Sequence, residues 1–94
     1  MRPLATVPTP DDTDAQLRAM LRDVLGLKPR QVDGFTLDSG LFGALPELDS
    51  MAVAGLLTEM EDRLGIVIDD DEVDGELLAT FGNLLAFART KRGR

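Results

Sequence analysis

From Leu27 to Asp49 the chain shows no hydrophobic period, and Pro29, Gly34, Gly40, Gly43 and Pro46 interrupt it repeatedly. A connection of that length is uncommon in a small domain and is either functional or pinned by a few apolar anchors. The available anchors are Val32, Phe35, Leu37, Leu41, Phe42, Leu45 and Leu48. Ninety-four residues make one small domain, which buries a modest share of its surface and has to pack simply. Four Phe are the only aromatics, so Leu, Val, Ile and Met must supply most of the interior.

Both flanks carry helical periodicity. Met1–Pro10 holds three prolines and little that packs, so residues 1–11 read as a disordered leader. Asp12 or Thr13 then offers an N-cap, and Leu17, Leu21, Val24 and Leu25 recur at helical spacing until Gly26. A second helix is predicted from Ser50 to Leu64, capped by Asp49 and stopped by Gly65. At 100° per residue, Val53, Leu57, Met60 and Leu64 form its buried stripe, while Met51, Gly55, Thr58 and Asp62 point the opposite way. Asp74 can cap a one-turn helix carrying Leu77 and Leu78. Thr80 caps a last helix whose Phe81, Leu84, Leu85 and Ala88 share one face. The basic end, Arg89 to Arg94, suits that helix's C-terminal dipole and is expected to fray, with 92–94 as a tail. The expected fold is all-α, a small four-helix bundle of three long helices and one short one over residues 12–91, with a long loop after the first helix.

Charge and composition narrow the function. Between Asp33 and Glu76 stand thirteen acidic residues and a single base, Arg63. Such a middle repels nucleic acid and favours encounter with basic protein surfaces, unless it is only a solvated, solubilising face. No apolar run approaches the roughly 20 residues of a membrane span, so the chain reads as a cytoplasmic monomer. The chain has no His and no Cys, which removes thiolate metal sites and disulfides. Its two lysines, Lys28 and Lys91, fall in a loop and a tail, so no Ser-His or Ser-Lys pair is evident. Asp70-x-Glu72-x-Asp74-Gly75 imitates the start of a calcium loop, but its twelfth position is Phe81 where a bidentate Glu is required. Glu61 and Asp62 are neighbours on a helix and diverge by 100°, which suits a solvated face rather than acid-base work.

Ser50 is the residue left with chemistry. It sits at a helix N-terminus, where unpaired N–H groups favour an anion, and no general base stands near it in sequence. By spacing alone it is an ordinary first-turn residue beside an Asp cap. The strings Glu47-Leu48-Asp49-Ser50-Met51, Glu61-Asp62-Arg63-Leu64-Gly65-Ile66, Ile68-Asp69-Asp70-Asp71-Glu72-Val73 and Leu78-Ala79-Thr80-Phe81 together resemble the acyl carrier protein family, across roughly Asp12 to Lys91. The resemblance implies a carrier rather than an enzyme, with 4'-phosphopantetheine attached covalently to Ser50 and Asp49 helping to position it. Met51 stands where the family has leucine, an exchange of similar volume. Implied partners are a phosphopantetheinyl transferase, an acyl-activating enzyme and an acyltransferase or condensing enzyme, docking on Met51, Gly55, Thr58, Glu59 and Asp62. The stretch Gly43–Val53 further resembles carriers encoded with exosortase and exopolysaccharide systems. An aminoacyl or peptidyl carrier would share these features, and an unmodified acidic interaction module is the rival of another class. Ser39 follows Asp38 as a second Asp-Ser pair, but Gly40 follows it and no apolar period starts there, so a loop turn is expected.

Overall fold

The computed structural model describes residues 12–93, and the expected leader lies outside them. Four α-helices follow in order: α1 (Asp12–Leu25), α2 (Pro29–Asp33), α3 (Ser50–Leu64) and α4 (Phe81–Arg92), with a 3-10 turn at Asp70–Glu72 between the last two. The all-α bundle of three long helices and one short one is as expected, but the short helix lies elsewhere. It occupies the aperiodic stretch at Pro29, whose fixed φ and missing N–H suit a first turn. The segment after Asp74 forms turns instead of a helix; Asp74 Oδ1 still accepts from Leu77 N at 2.8 Å, and Leu77 and Leu78 are buried.

The local signals that start and stop the long helices act as ordinary caps. Asp49 Oδ1 accepts from Ala52 N at 2.9 Å, and Gly65 ends α3 in the left-handed region at φ 65°. Thr80 Oγ1 accepts from Asn83 N at 3.1 Å to open α4. Asp12 is already helical, so the cap of α1 falls outside the described residues.

One core joins the helices. Leu17, Met20 and Leu21 of α1 meet Leu56 and Met60 of α3 and Phe81, Leu84, Leu85 and Ala88 of α4, each essentially sealed from water. Full burial of a Leu, Met or Phe side chain is worth about 1.5–3 kcal/mol. α4 buries the four residues its periodicity predicts. In α3 the buried stripe is Leu56, Met60 and Leu64, whereas Val53 and Leu57 are only half-buried. The stripe is rotated by roughly 30° from the predicted one, because α1 and α4 cover the Leu56 side while the chain after α3 covers the other side only in part.

The long loop is held at named points. Val32, Leu41 and Leu48 are buried and Phe35 and Leu45 half-buried, while Leu37 and Phe42, also available as anchors, are largely exposed. Arg18 of α1 pairs with Asp14, donates to the carbonyls of Val32 and Phe35, and lies 4.6 Å from the centroid of the Phe81 ring. It thus gives the Val32 carbonyl, which already accepts from Phe35 N at 3.2 Å, a further donor and ties the chain leaving α2 to α1. The loop also runs antiparallel to the chain before α4. Leu41 N donates to Ala79 O and Phe42 N to Leu78 O, both at 2.9 Å, and Phe81 N to Ser39 O at 2.8 Å.

The C-terminal end of α4 is tied down rather than frayed. Arg92, assigned from sequence to the tail, closes the helix and donates to Thr13 Oγ1 at 3.0 Å, and Lys91 Nζ lies 2.7 Å from Glu72. Cations in a last helical turn meet acids of the α1 terminus and the 3-10 turn there.

Candidate functional site

Ser50 and Asp49 stand on the surface where the loop enters α3. Asp49 spends one carboxylate oxygen on Ala52 N, and its carbonyl accepts from Val53 N at 2.9 Å. The amides of Ser50 and Met51 precede the first intrahelical bonds and face the helix entrance with the positive end of the dipole. Among the described residues no side chain hydrogen-bonds the Ser50 hydroxyl, so nothing there would activate it as a nucleophile. Met51, beside it, is 84% exposed, a large apolar side chain held in water.

Ser50 opens on a groove of about 250 Å³ that it lines together with Phe42, Val53, Val73, Asp74, Gly75 and Leu78. The groove exists because Val53 is not covered and because the pairing of residues 41–42 with 78–79 brings Phe42 to it. A second groove of about 240 Å³ lies along α3 between Ala54, Leu57, Thr58 and Glu61 on one side and Ile68, Asp70 and Val73 on the other. Val73 borders both.

The residues expected to form a docking face differ in exposure. Met51, Thr58 and Asp62 are exposed, Thr58 donating its hydroxyl to Ala54 O at 3.0 Å. Glu59 is half-buried and accepts from Arg63 Nε at 2.7 Å. Gly55 does not face away from the fold: it is half-buried against α1, and a Cβ there would meet Val24 Cγ1 at 3.7 Å, an ordinary contact. The same rotation of α3 that buries Leu56 turns Gly55 toward α1. Glu61 is no simple solvated acid, since its Oε2 accepts from Ile68 N at 2.8 Å and fixes the chain leaving α3. Ser39 lies in the expected turn, its hydroxyl accepting from Thr36 N at 2.8 Å and its carbonyl tied to α4. The calcium-like stretch forms the 3-10 turn, with the Glu72 carboxylate accepting from Asp69 N at 2.9 Å. No group of three or more candidate metal ligands occurs among the described residues.

Phe42, Val73 and Gly75 were not among the expected site residues. Periodicity carries no signal for them, since their place beside Ser50 depends on pairing between loops far apart in sequence.

The profile of the family described as the phosphopantetheine attachment site matches residues 15–88. This chain belongs to the acyl carrier protein family. The solution NMR structure of a holo acyl carrier protein from Nitrosomonas europaea is 36% identical and superposes with a TM-score of 0.78, covering 87% of this chain and 96% of that one. No curated protein matches the chain. Acyl carrier proteins are not enzymes; they hold acyl groups on a covalent 4'-phosphopantetheine and are served by modifying and acyl-handling enzymes. The residues at the start of α3 fit such a group: the Ser50 hydroxyl is exposed and unengaged, the helix entrance favours a phosphodiester, and an apolar groove adjoins it. No helix among the described residues is long and apolar enough to cross a membrane.

Proposed function

We propose that Ser50 is the residue that bears the 4'-phosphopantetheine arm. The observation that carries this reading is the conjunction of an exposed hydroxyl, an Asp49-capped helix entrance and an adjoining apolar groove at one residue. When bound, the arm supplies a thiol that holds acyl groups as thioesters. Asp49 fixes the first turn of α3 and so the direction of the Ser50 Cα–Cβ bond. The first-turn amides stabilise a phosphodiester anion on the Ser50 oxygen. Phe42, Val53, Val73 and Leu78 offer an apolar surface that limits the exposure of an acyl chain to water. Met51, Thr58 and Asp62 present a face to a phosphopantetheinyl transferase, an acyl-activating enzyme and an acyltransferase or condensing enzyme. Exposed Met51 is suited to such contacts, because an unbranched thioether adapts to different surfaces.

The test is modification by a broad-specificity phosphopantetheinyl transferase with coenzyme A, followed by intact mass and peptide mapping. Wild type is expected to gain one arm, on Ser50, and Ser50→Ala to gain none while keeping its helical circular dichroism. An arm on Ser39, or an unmodified wild type beside a modified control carrier, would sink the assignment.

A further inference from the structure

Arg63, the single base of the acidic middle, bridges two helices. Its Nε donates to Glu59 Oε1 at 2.7 Å within α3, and its Nη2 donates to Asp23 Oδ2 at 3.0 Å on α1. Arg22 Nε meets the other Asp23 oxygen at 3.2 Å. All of these side chains are about one-third exposed or more, so the contacts are open to exchange with a competing cation. Glu59 lies nine residues beyond Ser50, or about 14 Å along the helix axis. At 100° per residue Glu59 lies about 60° around the helix from Asp62 and about 80° from Met51, so it borders the exposed face proposed above for partner enzymes.

We propose that Arg63 is an intramolecular competitor for partner docking: a basic side chain of a partner enzyme takes Glu59 only by displacing Arg63, which keeps its hold on α1 through Asp23. The inference rests on the carrier reading above. Two geometric facts support it. Arg63 presents separate nitrogens to Glu59 and Asp23, so one contact can open while the other stays closed. Among the described residues, exposed Asp62, beside Arg63 in sequence, forms no such ion pair. Glu59 is therefore the acid whose availability depends on the state of Arg63. Partners that place a cation opposite Glu59 must displace Arg63 to use it, whereas partners that leave Glu59 alone bear no such cost, so Arg63 acts as a specificity-determining residue.

The experiment is a double-mutant cycle on the rate of modification by a phosphopantetheinyl transferase with a basic carrier-binding face, with coenzyme A in excess. Wild type, Arg63→Gln, Glu59→Gln and the double variant are compared at low and high salt, each checked by thermal melting. Arg63→Gln is expected to raise kcat/KM by about two- to fivefold at low salt, the range that exposed ion pairs command. That gain should disappear in the Glu59→Gln background and shrink at high salt. Asp23→Asn, which leaves Arg63 to Glu59, should lower kcat/KM. A gain of equal size with and without Glu59 would mean that net charge acts and competition does not, and no gain at all would equally overturn the proposal. An Arg63 that only staples α1 to α3 would lower the melting temperature of Arg63→Gln without any dependence of rate on Glu59. Failure of the carrier reading shows separately, as a wild type that accepts no arm at any salt, and would take this inference with it.

Discussion

At Gly82, the second residue of α4, a Cβ would lie 2.6 Å from the Leu37 carbonyl oxygen and 3.2 Å from its Cα. Both atoms are backbone, and that carbonyl accepts from Gly82 N at 2.9 Å, so the loop cannot step aside without losing the contact. Gly82→Ala is expected to destabilise the fold by about 1–3 kcal/mol, read from urea unfolding. Asp23 makes a different kind of residue-scale prediction. Its hydrogen bond from Arg63, and then that from Arg22, hold its carboxyl below the ordinary carboxylate range, against a smaller opposing effect of burial. A carboxyl depressed on folding contributes stability above its unfolded pKa of about 3.9 and loses it as pH falls through the folded value. The melting temperature of Asp23→Asn should therefore lie below that of wild type at neutral pH, and the gap should close as pH falls below about 3.9. Melts of both proteins across that range decide it; a gap that widens on acidification would contradict the ion pair.

At the scale of elements, α3 carries the sharpest contrast. Leu56 is sealed between α3 and its neighbours, while Leu57, next in sequence, borders a groove. Truncating Leu56 to Ala is expected to cost about 2–5 kcal/mol, the range for a filled core position. Leu57→Ala should cost less than half as much, because its surroundings already admit water. Equal losses would restore the stripe that simple periodicity predicts and would close the grooves. The contrast also bears on function. A helix buried evenly around the predicted stripe would seal Val53, and Ser50 would then face no apolar surface. The incomplete cover over α3 is what leaves a groove beside the serine.

At the scale of the molecule, the two ends of the described chain close on each other. Arg92 donates to Thr13 Oγ1, a hydroxyl on a residue only 4% exposed, and lies 3.7 Å from Asp12. A hydrogen bond from a charged donor to a buried hydroxyl outweighs an exposed ion pair. Arg92→Ala is expected to lower stability by about 1–2 kcal/mol, mainly through the buried Thr13 hydroxyl left unpaired. Denaturant titration of Arg92→Ala beside Arg89→Ala, whose side chain is exposed, measures the difference. A loss no greater than that of Arg89→Ala would mean that the helix end frays after all. The joined ends and the loop pairing before α4 make one closed unit, which lets a small core hold a long connection in place.

Caps, glycine stops and apolar spacing determined the three long helices from the sequence alone, because these are local effects. Asp49, Gly65 and Thr80 act on atoms within a few residues, and Phe81, Leu84, Leu85 and Ala88 share a face at any orientation of the helix. The Asp49-Ser50-Met51 motif and its setting likewise pointed to the carrier family without coordinates. Tertiary structure decided what depends on the neighbours. The rotation of α3 follows from where α1 lies, so Leu56 is buried and Gly55 turned inward although their own sequence spacing does not require it. Hydrogen bonds between residues 41–42 and 78–79 set Phe42 beside Ser50. The bridge from Arg63 to Asp23 spans 40 positions, a separation at which sequence carries no register and only the packing of one helix on another brings two charges together.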